Sequence, residues 1–413
     1  MKVLVLNCGS SSIKYKFLNM TDNSTIASGV MEKIGLKGSF LKHQNKGQDK
    51  IKLEGEVLDH QVGIEYIIGV MLDARIGCIS SLNEIDAVGH RVVHGGEAFK
   101  GSVMISDAVI AQMEKCIELA PLHNPPNLKG IYAITSLMPK TPQVAVFDTA
   151  FHQTMPDYAF MYGIPKSLYN KYKIRRYGFH GTSHRFVSHK ACEYLNVDYQ
   201  KTKIISCHLG NGSSICAIDG GQSIDTSMGF TPVEGLLMGT RAGDLDIGVV
   251  TYIMDKENID TQAASTLFNK HSGLLGISGI SSDARDVEEA ALKHHNKDAQ
   301  LALKIFQYRI KKYIGSYIAA MGGCDVLTFT GGIGENSAND RELICENMAY
   351  LGIQLDPVKN REYSGKEAVI SKADAHVKVC VIPTDEELMI AQESIKVMQQ
   401  SSPTQASILK EFS

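Results

Sequence analysis

The sequence predicts an α/β protein made of two duplicated domains, and three observations predict it. Apolar strand-like runs alternate with segments of helical periodicity along the chain. A strand–turn–strand unit near the start, "LVLNCGSSSIKYKF", returns as "IISCHLGNGSSICAI" from Ile204, with Ser-Ser-Ile in both copies. And 413 residues exceed what one hydrophobic core usually supports, so two domains of roughly 150 to 250 residues are expected. Short Gly/Ser turns between strands are common, so a chance echo is the alternative to duplication. Duplication would set the two turns facing each other across a cleft.

The elements follow in order. "KVLVLN" is a short apolar run, "CGSSS" a turn, and "IKYKFL" alternates, which together read as a strand, a turn and a returning strand. "DAVGHRVV" and "PQVAVFD" read as buried strands ending in polar residues. Between them Ser106 caps a helix whose positions Val109, Ile110, Met113, Ile117 and Ala120 follow helical spacing, and Pro121 stops it. Gln300 to Met321 is a second helix, with Ile305, Phe306, Ile310, Ile314, Tyr317 and Ile318 on one side and Gly322-Gly323 ending it. Then come a strand, "DVLTFT", a glycine turn, "GGIGEN", and a helix opening at Ser337.

Composition narrows the function classes. The chain is 44% apolar and 21% charged, with a net charge of −3 from 42 basic and 45 acidic residues. That balance gives no footprint for nucleic acid or an anionic membrane. No run reaches the roughly 18 apolar residues that span a bilayer, and the N-terminal apolar run is too brief for a secretory signal. Nine cysteines lie scattered without a CxxC pair, which reads as reduced thiols in a cytoplasmic protein.

Three strand exits are glycine-rich: "NCGSSS" (7–12), "HLGNGSS" (208–214) and "TGGIGENS" (330–337). Glycine lets backbone N–H groups converge on an anion, and a helix start after such a turn favours phosphate. None fits a nucleotide pattern such as GxxxxGK[ST] or GxGxxG, and each alone reads as a structural turn. Three together favour a phosphate cradle. Lys14 alternates away from Ile13, Tyr15 and Phe17, so it either reaches a phosphate or lies on a solvated strand face.

Charged residues stand at other strand ends. Asp148 closes "VAVFD", where it either caps the following turn or serves a ligand, through a water-bound magnesium or by steering an attacking oxygen. Arg91 in "GHRVVHGGE" and Arg241 in "GLLMGTRAGDLD" sit among glycines and apolar residues, where each grips an anion or pairs with an internal carboxylate. His180 in "YGFHGTSH" is a site candidate or a satisfied structural histidine. A cradle, a magnesium site, cations and an oriented acceptor are what phosphoryl transfer needs. The residues alone therefore point to an ATP-dependent phosphotransferase.

The segments "VLNCGSSSIK", "GHRVVHGG", "PLHNPPN", "FDTAFHQTMP", "YGFHGTSH", "HLGNGSS", "MGFTPVEGLLMGTRAGDLD", "TGGIGENS" and "PTDEELMIA" resemble, in order, the signature segments of the acetate kinase family. The resemblance implies two domains of the actin-like ATPase (ribonuclease H-like) type with a nucleotide cleft between them. The division it suggests is 1–150, with a helix at 385–400 packing back on it, then 151–384, and a disordered tail at 401–413. It implies reversible transfer of the ATP γ-phosphoryl group to acetate, with ATP and ADP as co-substrates, Mg2+ or alternatively Mn2+, and a cytoplasmic homodimer. Propionate kinase is the nearest alternative. An ATP-driven clamp on a protein partner would need a peptide-binding domain for which the motifs leave no room.

Carried over by position, Asn7 and Glu386 would lie at the metal. Lys14 would serve ATP, Arg91 would hold the acetate carboxylate, and Asp148 would act as base or positioning group. His180 and Arg241 would steady the transition state. The stretch His208, Leu209, Gly210, Asn211 and Gly212 would wrap phosphates. Asp283, Ala284 and Arg285, with Gly331, Gly332, Ile333, Gly334 and Glu335, would hold the nucleoside end. Val93, Leu122, Phe179 and Pro232 would line a pocket for the methyl group, and valine at 93 resembles the acetate branch. Asp385, where many relatives have asparagine, leaves open which carboxylate serves the metal.

Overall fold

The computed structural model describes residues 1–401. The tail expected at 401–413 lies outside the described residues except for Ser401, which closes the last helix, Glu386–Ser401. The chain divides into two compact units, one of Met1–Phe151 with the chain from Asp385 on, the other of His152–Thr384.

The first unit is an eight-stranded sheet. Its strands are β1 (Lys2–Cys8), β2 (Ser12–Asn19), β3 (Ser24–Glu32), β4 (Phe40–Asn45), β5 (Ile51–Glu54), β6 (Ala87–Val92), β7 (Val103–Met104) and β8 (Gln143–Phe147), in the order β5-β4-β3-β2-β1-β6-β8-β7. Alternation along β2 buries Ile13, Tyr15 and Phe17 and leaves Lys14 exposed, as a strand with one face on a core must do. β1 pairs antiparallel with β2 and parallel with β6, and β6 pairs parallel with β8. The final helix packs Ile390 and Ala391 against Val3, Val5, Leu18, Ala87, Val144 and Val146. Burial of Ile390 alone contributes about 1.5–3 kcal/mol.

The second unit repeats the plan. Its strands are β9 (Lys203–Leu209), β10 (Ser213–Asp219), β11 (Gln222–Thr226), β12 (Val326–Thr330), β13 (Ala368–Val369) and β14 (Lys378–Val381), in the order β11-β10-β9-β12-β14-β13. As β1 does with β2 and β6, β9 pairs antiparallel with β10 and parallel with β12. β3-β2-β1-β6-β8 and β11-β10-β9-β12-β14 are thus the same arrangement, and the echoed segments are its leading hairpins, β1–β2 and β9–β10. The sequence echo is a real duplication of this strand arrangement.

The helices keep their expected places with local differences. Ser106 Oγ caps Asp107–Lys115 by accepting from Val109 N at 3.4 Å. The helix then tightens into a 3-10 turn at Cys116–Leu119, where Asn124 Nδ2 donates to the Cys116 carbonyl at 3.4 Å. The long helix begins at Lys297 rather than Gln300, because Asn296 Oδ1 caps it by accepting from Ala299 N at 2.9 Å. Ile305 and Ile318 lie on the flank of its buried face. "GGIGEN" is a short helix, Gly331–Asn336, and not an open turn. Gly331 makes the abrupt change from β12 possible with a left-handed φ of 78° that a side chain would strain. No helix among the described residues is long and apolar enough to cross a membrane, and all nine cysteines are free thiols.

Candidate active site

In the first unit the C-terminal edge of the parallel strands gathers charge. Asn7 is at the end of β1, Arg91 near the end of β6, Asp148 just past β8, and Glu386 opens the final helix. Arg91 joins them: Nη1 donates to Asn7 Oδ1 at 3.3 Å, Nη2 pairs with Asp148 Oδ2, and Nε lies 3.7 Å from Glu386 Oε2. That Nε is buried without a hydrogen-bond partner. Asp148 is fully buried, its N–H donating to the Val92 carbonyl at 2.9 Å. Burial raises the Glu386 carboxyl to about 7, opposed by the Arg91 charge and reinforced by Asp148 and Glu387. Burial works against the Arg91 charge, but Asp148 and Glu386 outweigh it and raise its pKa.

Asp385 is engaged within the first unit. Its Oδ1 caps the final helix, accepting from Leu388 N at 2.9 Å, and its Oδ2 pairs with Lys16 Nζ at 2.6 Å. Both oxygens are engaged, and Glu386 is the carboxylate turned toward Arg91. Asn7 Oδ1, Asp148 and Glu386 are hard oxygen donors that suit magnesium. No group of three or more His, Cys, Asp or Glu poised for a metal occurs among the described residues. A magnesium ion held largely by phosphates and water does not require one.

Sequence reasoning missed the scaffold behind this edge. Asn127 donates through Nδ2 to the Cys8 carbonyl at 2.7 Å and accepts from Val93 N at 3.0 Å. Asn124 accepts from His94 N at 3.2 Å and donates back to the His94 carbonyl at 2.9 Å. The two asparagines therefore fix the ends of β1 and β6; their signal was polar residues around Pro-Pro that the fold buries. Of the residues assigned to the methyl pocket, Val93 is buried and Leu122 is 63% exposed in the first unit. Phe179, buried, and Pro232, half-buried, belong to the second.

The second unit holds a cavity of about 690 Å³. Gly210, Asn211, Asp283, Ala284, Arg285, Gly332 and Ile333, which the family resemblance assigns to the nucleotide, line it. Ser282, Glu288, Asn336, Ser337 and Asp340 also line it and were not foreseen. Asp283 caps the helix Ala284–Leu292, and its bonds to the Arg285 side chain and N–H hold its carboxyl down to about 2. Other candidates do not line the cavity. Leu209 is fully buried in β9, Gly331 and Gly334 are buried, and Lys14 lies in the first unit. Glu335 turns inward, its Oε1 accepting from Gly331 N at 2.8 Å and Thr384 N at 3.2 Å, so it shapes the turn. Arg341, invisible to motif reasoning, braces the same short helix by donating Nη1 to the Gly334 and Glu335 carbonyls at 2.8 and 2.9 Å.

Gly212 marks a second convergence in this unit. A Cβ there would stand 3.4 Å from Arg241 Nη1 and 3.5 Å from His180 Nε2. Among the described residues Arg241 donates only to the Pro232 carbonyl at 3.3 Å and, weakly, to Met238 Sδ at 3.8 Å, and burial lowers its pKa. No carboxylate pairs with it among the described residues, unlike Arg176, which faces Glu234 and Asp225. A half-buried guanidinium without a carboxylate partner suits an incoming anion. His180 stands at the start of the helix Gly181–Leu195, its Nδ1 2.9 Å from Ser214 Oγ and its ring stacked on His208 at 4.4 Å.

The profile of the acetokinase family matches residues 2–392. The chain belongs to the acetokinase family. Similar to this acetokinase is the acetate kinase of Azobacteroides pseudotrichonymphae genomovar. CFP2, 60% identical over 398 residues that cover 96% of this chain and 100% of that one. The solved Porphyromonas gingivalis acetate kinase is 54% identical with a TM-score of 0.93, covering 96% of this chain and 99% of its own. A propionate kinase from Francisella tularensis subsp. tularensis SCHU S4 is 43% identical with a TM-score of 0.88, covering 95% and 98%.

Proposed function

We propose that this acetokinase transfers the γ-phosphoryl group of ATP to the carboxylate of acetate, giving acetyl phosphate and ADP, and runs the transfer in both directions. The observation that carries the reading is Arg91, whose guanidinium is held at the strand ends by Asn7 and Asp148 while its buried Nε has no hydrogen-bond partner. A planar fork with a donor to spare suits a carboxylate. Relatives that are 54–60% identical are named acetate kinase.

In this reading Arg91 orients the acetate carboxylate, and Val93, Leu122, Phe179 and Pro232 admit its methyl group. Acetate is already ionised at neutral pH, since ordinary carboxyls titrate near about 4. No base is needed, and Asp148 acts by fixing Arg91. The cavity residues from Gly210 to Ile333 hold ADP and ATP, Lys14 serves the phosphates, and Arg241 and His180 donate to the transferred group. Asn7 and Glu386, with Asp148 beside them, would hold Mg2+. When bound, that ion neutralises charge on the β- and γ-phosphate oxygens. We also infer a homodimer. The helix Ile247–Glu257 has no buried residue and exposes Ile247, Val249 and Tyr252, which a second copy would cover.

Propionate is the second reading, favoured only by the 43% identical relative. One methylene in an apolar pocket is worth about 1–3 kcal/mol, or roughly 10–200-fold. Trapping acyl phosphate with hydroxylamine across formate, acetate, propionate and butyrate tests the assignment. The highest kcat/KM should belong to acetate; a higher value for propionate would reassign the substrate, and no hydroxamate with any acid would remove the function.

A further inference from the structure

Behind His180 runs a chain of hydrogen-bonding groups that the reaction as described does not use. His180 Nδ1 lies 2.9 Å from Ser214 Oγ, the same hydroxyl lies 2.7 Å from His184 Nε2, and His184 Nδ1 lies 3.0 Å from Ser206 Oγ. Ser206, Ser214 and His184 are all fully buried. Burial, with His152 and His208 nearby, drives the His184 pKa well below its ordinary value, so its ring is neutral and carries one N–H.

A hydroxyl lying between two imidazole nitrogens has one proton and two lone pairs, so it can donate to only one of them. Two arrangements of the chain differ at His180. In one, Ser206 O–H donates to His184 Nδ1, His184 Nε2–H donates to Ser214, and Ser214 O–H donates to His180 Nδ1. A neutral His180 then carries its single proton on Nε2. In the other, Ser214 accepts from His180 Nδ1–H, and a neutral His180 presents a lone pair at Nε2. The Nε2 edge lies against the Gly212 turn beside Arg241. A phosphoryl oxygen there is attracted by an N–H and repelled by a lone pair, and a donor already in place costs no reorganisation.

We propose that Ser214 and His184 are positioning residues that hold His180 as the Nε2–H tautomer, so that a neutral imidazole donates to the transferred phosphoryl group. The inference rests on the reading of His180 as a ligand of that group. The stacked neighbour repeats the device: His208 Nδ1 lies 2.8 Å from Ser183 Oγ, which lies 2.8 Å from Thr384 Oγ1. Both rings are thus pinned at Nδ1 by a serine.

Long-range proton–nitrogen NMR of the full chain labelled with 15N-histidine, at pH 8, reads the tautomer directly. Wild-type His180 should carry its proton on Nε2; a proton on Nδ1 overturns the proposal without any variant. Ser214→Ala should mix the tautomers and lower kcat about tenfold, with KM for ATP and acetate changed less than twofold. Ser214→Thr, which keeps the hydroxyl, should restore the tautomer. Ser214→Ala that keeps both the tautomer and kcat also overturns it. His180→Ala separates the two levels: wild-type kcat there would remove His180 from the chemistry, whereas a large loss beside an unaffected Ser214→Ala would refute the positioning role alone.

Discussion

Replacing Arg91 by alanine removes the cation shared by Asp148, whose side chain is 0% exposed, and Glu386, whose side chain is 24% exposed. Breaking a buried pair by deleting one partner costs about 3–5 kcal/mol, because the surviving charge is left uncompensated. The low end applies here. Arg91 itself is 18% exposed, and Glu386, already pushed up to about 7, takes a proton once the guanidinium is gone. A loss of about 3 kcal/mol corresponds to roughly 6–12 °C in Tm for a unit of this size. Magnesium at ten times its Kd should return about 1.4 kcal/mol by mass action on the carboxylates left without the guanidinium. Thermal unfolding followed by circular dichroism, with and without MgCl2, measures both, and a hydroxamate assay on the same samples should show at least about a 30-fold loss of kcat/KM for acetate. A variant that melts within about 1 °C of wild type and turns over acetate normally would refute the claim that Arg91 holds these charges and the substrate.

Arg241→Ala should leave Tm unchanged or raise it, since the guanidinium is desolvated without a counterion, while kcat falls about 10²–10³-fold; parallel loss of stability and activity would make the residue structural. Gly212→Ala should fold normally, its new Cβ meeting only ordinary contacts at 3.4 and 3.5 Å, yet raise the ATP KM about tenfold or more by filling the space between Arg241 and His180; an unchanged KM would place the phosphates elsewhere. His90 is buried beside Gln143, and burial pushes its pKa down to about 4. The unfolded chain, with histidine near 6.5, binds an extra proton between those values, so stability falls as pH drops through that window by about 1.4 kcal/mol per pH unit. Buried His184, also held well below its ordinary value, adds to the same slope, so urea unfolding at pH 7.5, 6 and 5 should show a fall steeper than that, and His90→Gln should reduce it by about one proton; an unchanged slope would exclude His90 as a source. Asp385→Asn keeps the cap but loses the Lys16 pair, and should cost no more than about 1 kcal/mol in a urea titration.

Much of the site was legible because it depends on local chemistry. Asp148 and Arg91 stand out as charges at the ends of apolar runs, and Gly210 and Gly332 as glycines where strands stop. The duplication shows as the repeated pattern of β1–β2 and β9–β10. What escaped is what long-range packing decides. Nothing in "TDEEL" says which carboxylate caps the helix; the position of Lys16 on β2 does. Glu335 looks like a ligand until the fold aims it back at Gly331 N and Thr384 N. Arg341 reads as an ordinary helical arginine although it is among the most buried large side chains. Leu122 looks apolar enough for a pocket, yet it is largely exposed within its unit. His184, Ser206 and Ser214 come from a helix and two strands, so no spacing rule links them.

One experiment bears most directly on the account: a crystal structure of the full chain with ADP, Mg2+, aluminium fluoride and acetate. The account places the adenosine diphosphate in the cavity at Asn211, Asp283 and Gly332, the fluoride group within hydrogen-bond reach of Arg241 and His180, and the acetate carboxylate on Arg91. Nucleotide bound away from those turns, or acetate held by other residues with Arg91 still closed on Asp148 alone, would contradict it.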